Sequence, residues 1–169
     1  MAKIEFKGIE EYSKQLAKLG QHSKGIIKAA VFEGADEVAD AVRKSTSGVP
    51  TISDKAAIID WRTSSAADGL TATQKEGLLD GLGLTDMREE GGYIYTKLGF
   101  TGYNGVKTHA FPNGQPNALI ARSLESGSSA RKKHPFVRPA VNSSKARAEQ
   151  RMGNKIDEML KKIVEQKGT

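Results

Sequence analysis

The sequence predicts an α+β domain in which long helices pack on a small antiparallel sheet, and three observations point to it. A stripe of mostly small apolar residues, Ile27, Ala30, Val31, Gly34, Ala35, Val38, Ala39 and Val42, recurs at helical spacing. The run Tyr93-Ile94-Tyr95-Thr96-Lys97-Leu98-Gly99-Phe100 is aromatic and β-branched, as strands are. A last amphipathic stretch from Pro139 to about Gln166 follows a Pro-Phe-Val-Arg-Pro elbow expected to dock it as a C-terminal helix. The 169 residues fit one domain, 1–169. With 37% hydrophobic and 6% aromatic residues, its core is modest, so neighbouring subunits are expected to add burial.

Taken in order, Ile4-Glu5-Phe6 alternates and reads as a short strand. Ile9, Tyr12, Leu16 and Leu19 share one helical face, and Gly20 is expected to end that first helix. Ser23 then caps a second helix reaching about Lys44, where Gly34 marks close packing, with a sheet as the expected partner. Thr46-Ser47-Gly48-Val49-Pro50 is a break, opening a long loop over about 46–73. Within it, Ser53 to Trp61 permits a short helix. Trp61, the one tryptophan, reads as a cover over the core or as an interface anchor.

Thr73-x-x-Glu76 matches a capping box and predicts a short helix through Leu78, Leu79 and Leu82, although Leu82 and Leu84 also suit a strand. Glu89-Glu90-Gly91-Gly92 is a turn, giving a hairpin of about Gly83–Arg88 with Tyr93–Phe100. Thr101 to Pro116 is dense in Gly, Pro and Asn and reads as a second long loop. Asn117 is placed to cap a helix through Leu124, ended by Gly127. The terminal helix carries Val141, Ala148, Met152, Ile156, Met159, Leu160 and Ile163 on one face.

Charge narrows the partners. The net charge is +6, and from Arg131 onward eleven Lys and Arg face only Glu149, Asp157, Glu158 and Glu165. Such a block suits nucleic acid, an acidic protein surface or plain solvation. Arg131, Lys132 and Lys133 are the residues for possible phosphate contact, nonspecific and salt-sensitive. No nucleic-acid-reading module is recognisable, and aromatic residues are too sparse for a base-stacking platform. No run approaches the roughly 18 apolar residues of a membrane span, so no membrane partner is expected. The opening Met-Ala-Lys-Ile-Glu-Phe-Lys lacks a signal-peptide core, which suits a protein made in a cytoplasm or in an assembly built there.

Nothing converges on chemistry, so no enzyme activity and no cofactor are expected. Cysteine is absent, which removes thiolate nucleophiles, disulfides and cysteine metal sites. His22, His109 and His134 fall in expected loops or turns without ligand spacing. The glycines of Gly77-Leu-Leu-Asp-Gly81-Leu-Gly83 and Gly99-Phe-Thr-Gly102-Tyr-Asn-Gly105 lack the Lys-Ser/Thr of a phosphate loop and read as turn glycines. Adjacent acids such as Glu89-Glu90 do not converge as a catalytic pair.

Pro135 and Pro139 bracket Phe136, Val137 and Arg138, and proline fixes φ near −65°. Phe136 is therefore expected to plug the core and Pro139 to start the last helix in its first turn. Arg138 is expected to pair with Glu125 or with a neighbouring subunit.

As a set, Ala121-Arg122-Ser123-Leu124-Glu125-Ser126-Gly127-Ser128 and His134-Pro135-Phe136-Val137-Arg138-Pro139-Ala140 resemble the neck or tail-completion family of long-tailed phages and prophages, also called minor tail components. That family runs from a short N-terminal helix through a long Ala-rich helix, a hairpin, an Ala-Arg-x-Leu-Glu-x-Gly element and Pro-Phe-(Leu/Val)-Arg-Pro-Ala to a terminal helix. The likeness follows that order over nearly the whole chain. It departs in the long Thr46–Thr73 segment and in Ala118–Leu124, which reads as helical where other members look extended.

The resemblance implies a nonenzymatic structural protein of the virion, assembled in the host bacterial cytoplasm. Its place would be a ring of its own copies between head-closure (connector) proteins and tail-terminator or tail-tube proteins. Arg122, Glu125, Phe136, Arg138 and Pro139 would then be the elbow and interface residues. The alternative is a basic nucleic-acid-associated protein that binds DNA nonspecifically through its C-terminal half.

Overall fold

Two long helices, α1 (Ile9–Ser47) and α4 (Val137–Glu165), make the most extensive contact between elements in the computed structural model. The structure describes residues 9–53 and 66–165, with side chains from residue 20. The expected Ile4–Phe6 strand, the helix up to Trp61 and Trp61 itself lie outside those residues. So do the side chains of the Ile9–Leu19 stripe. Between the long helices in sequence come β1 (Thr51–Ile52), β2 (Leu70–Thr71), α2 (Ala72–Gly81), β3 (Leu82–Leu84), β4 (Arg88–Glu90), β5 (Tyr93–Tyr95), β6 (Leu98–Phe100) and α3 (Asn117–Ser126). The class is α+β, with long helices on small antiparallel pairings.

α1 is one 39-residue helix of about 58 Å, where a break at Gly20 and a new cap at Ser23 were expected. Gly20 is not in the positive-φ conformation that ends helices, and the Ser23 hydroxyl donates to the Gly20 carbonyl one turn back. An interior glycine costs about 1 kcal/mol, too little to stop a helix with this much packing further along. His22 consequently lies in helix rather than in a loop.

The buried face of α1 is Ile26, Ala30, Gly34, Ala39, Val42 and Thr46, whereas Ile27 turns to solvent. Gly34 meets a helix instead of the sheet expected for it. A Cβ there would lie 2.5 Å from Met152 Cγ on α4. The facing stripe of α4 is Ala140, Ser144 and Ala148, continuing through half-buried Met152, Ile156, Met159, Leu160 and Ile163. Val141, expected on that stripe, is exposed beside it. Ser144 is tolerated because its hydroxyl donates to the Ala140 carbonyl at 2.8 Å.

The strands form one long antiparallel hairpin: β3 with β6 (Leu82↔Phe100, Gly83↔Gly99, Leu84↔Leu98) and β4 with β5 (Arg88↔Tyr95, Glu89↔Ile94, Glu90↔Tyr93). Gly91 and Gly92 take φ of 57° and 85°, the two positive values a tight two-residue hairpin turn requires. Glu89 therefore belongs to the strand, and its carboxylate is 2.8 Å from Lys24 on α1. Between the two ladders, Thr85 and Thr96 hydrogen-bond across the gap, and the Thr85 hydroxyl accepts the Lys97 N–H at 3.0 Å. A short parallel pair, β1 with β2, adds a pairing that the antiparallel expectation did not include.

α2 starts two residues before the expected box. Thr71 and Gln74 form the reciprocal cap: the Gln74 N–H donates to Thr71 Oγ1 at 3.1 Å and the Thr71 N–H to Gln74 Oε1 at 3.2 Å. The helix stops at Gly81, so Leu82 and Leu84 are strand residues. Residues 101–116 are irregular but tied down: the Asn104 N–H donates to Gln115 O and the Asn117 N–H to Gly102 O, each at 3.0 Å. Asn117 does not cap α3. Its amide donates to Gly77 O and Thr101 O, both at 2.7 Å, and so joins α2 to the hairpin's exit.

The core lies where the C-terminal end of α1 meets α2, α3 and the start of α4: Val42, Val49, Leu70, Leu78, Leu82, Ile120, Leu124 and Phe136. Lys75 closes that end of α1. Its ammonium donates to Ser47 O at 3.2 Å, Val49 O at 2.5 Å and Thr51 Oγ1 at 2.8 Å, which suits the negative end of a helix. No helix among the described residues is long and apolar enough to cross a membrane.

Candidate functional site

The elbow between α3 and α4 is where the sequence-predicted residues meet. α3 ends at Ser126, and Gly127 follows with φ 79°. Ser128 and Arg131 then pair back to back through their main chains, and the His134 N–H donates to the Leu124 carbonyl at 2.8 Å. The chain is thus folded against the helix it has just left.

Glu125 completes the turn. Its carboxylate accepts the backbone N–H of Phe136 at 2.8 Å, Val137 at 2.9 Å and Arg138 at 3.1 Å. A helix leaves four N–H groups unpaired at its start. Here Glu125 takes three, and the fourth position is Pro139, which has no N–H. Burial pushes the Glu125 carboxyl up, but the N–H groups of Val137, Phe136 and Arg138 and the charge of Arg138 outweigh it and hold the group below the usual carboxylate range. A carboxylate so engaged is a structural anion at a helix N-terminus; as a base it would have to give up the cap.

Arg138 sits outside this arrangement. Its Nε is 3.9 Å from Glu125, with the Arg138 side chain 81% exposed against 13% for Glu125. Of the two partners expected, Glu125 is thus present within the chain, but the contact is long and solvated. Phe136 is 2% exposed and packs its ring 5.8 Å from that of Phe100, tilted by 51°. Beside this plug lies an open pocket of about 420 Å³. Val38, Phe100, Ala121 and Val141 supply its apolar lining, and Arg122, Glu125 and Arg138 stand among the lining side chains. Four of the five elbow residues therefore share one region, with Pro139 in the adjoining helical turn.

The expected phosphate cluster does not hold together. Arg131 is 6% exposed and points inward, donating to the Gly69 carbonyl and to Gln74 Oε1 at 3.0 Å. Burial lowers its pKa, and its guanidinium serves the α2 cap instead of solvent. Lys132 is 2.9 Å from Asp68, which also holds His134 Nε2. Hydrogen bonds from Lys132 and then His134 lower the Asp68 pKa. Lys132 and Lys133 are both exposed, and among the described residues Lys133 has no ion pair. Nothing near positions 131–134 points to Asp68, because it comes from a segment more than sixty residues away.

Much of the basic face of α4 is likewise engaged. Glu37 on α1 receives Arg147 at 2.6 Å and Arg151 at 3.1 Å, and its pKa is lowered, chiefly by the Arg147 hydrogen bond. Glu158 lies 3.0 Å from Lys155 and 2.5 Å from Lys162. The residues that sequence reasoning missed are Glu37, Asp68, Gln74 and Lys75, all acting across long separations. For Glu125 a signal was available: a helix opening with Phe-Val-Arg-Pro has three N–H groups to satisfy and no Ser, Thr, Asp or Asn of its own to do it.

No family model matches this chain, and neither a characterised protein nor a solved structure shows significant similarity to it.

Proposed function

We propose that this chain is a nonenzymatic structural protein of a long-tailed phage or prophage, one subunit of a ring that completes the neck or the head-proximal end of the tail. The observation that carries the reading is the union of the two motif segments. Glu125, from the Ala-Arg-x-Leu-Glu-x-Gly element, caps the helix that Pro-Phe-Val-Arg-Pro-Ala begins. The ordered resemblance to the neck and tail-completion family thus concentrates on residues that build one elbow. An open apolar pocket with exposed arginines beside it suits a contact between protein copies. The inward Arg131 and the engaged Lys132, Arg147 and Arg151 weaken the alternative of nonspecific DNA binding.

The test is incorporation. The chain is produced together with the head-closure and tail proteins that this reading expects in the same genome, and purified tails and particles are examined by mass spectrometry and electron microscopy. The expected result is a stoichiometric ring of this chain at the head-proximal tail end. Complete tails and particles that lack it would overturn the reading.

A further inference from the structure

The hairpin tip and the elbow pocket have complementary chemistry. At the tip, Glu90 and Tyr93 are direct partners across the β4–β5 ladder, so their side chains stand on one face of it. Tyr93 is 79% exposed, and the Gly91-Gly92 turn beside it carries no side chains to shield it. The tip is therefore an aromatic ring next to a carboxylate, set on a two-residue turn and tied to α1 through Glu89 and Lys24. The pocket offers the converse: an apolar lining of Val38, Phe100 and Val141 with the exposed guanidiniums of Arg122 and Arg138. Tyrosine and arginine are the residue types that dominate the energetic centres of protein contacts.

The tip cannot reach the pocket of its own chain. It is anchored near Lys24, and the pocket lies at Val38, a separation of about 21 Å along α1. We propose that the occupant is a second copy: the Glu90–Tyr93 tip of one subunit enters the Arg122/Arg138 pocket of the next. The tyrosine ring fills the apolar lining, and Glu90 meets the guanidiniums. The two surfaces differ, so the contact is head-to-tail and closes into a ring when the rotation permits. Among the described residues the other exposed aromatics are Tyr103, whose flanks carry Lys107 and His109 instead of acids and so give no charge match to this pocket, and Phe32, which lies along α1 and forms no projecting tip. The inference rests on the ring assembly proposed above and names the surfaces that form it.

The absence of cysteine makes a direct test simple. The full chain carrying Gly91→Cys and Val141→Cys, with Tyr93 and Glu90 kept, is oxidised mildly at high concentration and run without reductant. Both sites are exposed, and a Cβ at Gly91 meets no neighbouring atom. A disulfide needs Cα atoms within about 7 Å, which excludes closure within one chain. A ladder of trimers and longer species is expected, ending at the ring number, whereas Gly91→Cys alone gives dimers at most and adding Tyr93→Ala to the pair should weaken the ladder. Adding Glu90→Arg should slow the ladder about tenfold through like-charge repulsion with Arg122 and Arg138. The absence of species beyond dimers overturns the proposal, as does a ladder that Glu90→Arg leaves unchanged. If instead Val141→Cys links to a different tail protein, the pocket belongs to that partner and the proposal falls. A chain that enters tails but forms no ladder leaves the assembly role standing, while a chain that ladders but is missing from tails defeats only that role.

Discussion

One carboxylate oxygen of Glu125 accepts the backbone N–H of Phe136 at 2.8 Å, and this bond fixes the helix start to the residue that plugs the core. The same side chain serves Val137 and Arg138. Direction of the C-terminal helix and burial of Phe136 are therefore set together. The start of a 29-residue helix is thus capped by a single acid eleven residues before Phe136, while its length is held by packing on α1.

Glu125→Ala leaves three N–H groups at the start of α4 without this acceptor, two of them in partly buried surroundings. The expected loss is about 3 kcal/mol, since hydrogen bonds to a charged group are each worth about 1.5–3 and water recovers part of the total. Glu125→Gln keeps one acceptor oxygen and should cost about half as much. Urea denaturation reads both, and equal midpoints for wild type and Glu125→Ala would show that the cap contributes nothing.

Acid should act through the same group. The folded Glu125 carboxyl titrates below its unfolded value, which is near 4.3. Its contribution is complete above the unfolded value and disappears as pH falls through the lower folded one. The stability gap between wild type and Glu125→Gln should thus be constant from pH 7 to about 5 and narrow steadily below about 4. Melts of both proteins across pH 2–7 check this. A gap that widens in acid would mean that the folded carboxyl is protonated more readily than the unfolded one.

Gly20 and Gly25 lie inside α1 with no neighbouring atoms where a Cβ would go. Gly20→Ala and Gly25→Ala should each stabilise the protein by about 1 kcal/mol, through the helix preference of alanine. Thermal melts measure it. Had Gly20 been a helix terminator in the left-handed conformation, Gly20→Ala would destabilise, so the sign of the change separates one continuous helix from two.

The features legible in the sequence are those that repeat or sit close together. The period of α4, the Gly-Gly turn between two strands and the proline-flanked Phe136 all depend on neighbours a few residues apart. The errors arose where distant contacts decided. Gly20 looked like a stop because the support for α1 comes from α4, more than a hundred residues on. Ile27 and Val141 are expected inward, but Ile26 and Ala140, one position earlier, take those places, while Ala30, Gly34, Ala39, Val42 and Ala148 face inward as their spacing predicts. Arg131 looked like a surface cation because Gln74 and Gly69, its partners, are invisible from positions 131–133. For the candidate site, motif membership picked out Glu125, but its role as a cap emerged only with the geometry.

Gly34 and Met152 should be energetically coupled. A Cβ at Gly34 would lie 2.5 Å from Met152 Cγ and 2.7 Å from its Sδ, so Gly34→Ala gains helix preference and displaces a flexible side chain at once. The net change in wild type is expected within about 0.5 kcal/mol of zero. With Met152→Ala the obstacle is gone, and Gly34→Ala should add about 1 kcal/mol. A double-mutant cycle measures the difference. Purely additive effects would mean that the two helices do not meet at this point.

Arg131 separates a structural from a nucleic-acid role most directly. Its guanidinium holds the Gly69 carbonyl and the Gln74 side chain that caps α2. Arg131→Ala removes both donors from a buried site and should cost about 3 kcal/mol, read as a lower urea midpoint. Lys133→Ala, at an exposed position, should stay within about 0.5 kcal/mol of wild type. If DNA is retained at all at low salt, Lys133→Ala should weaken it, whereas Arg131→Ala, assayed below its melting range, should not, because a buried cation releases no counterions from phosphate. The reverse pattern, with DNA retention lost in Arg131→Ala and its urea midpoint unchanged, would require this guanidinium to face solvent, and the nucleic-acid reading would then displace the structural one.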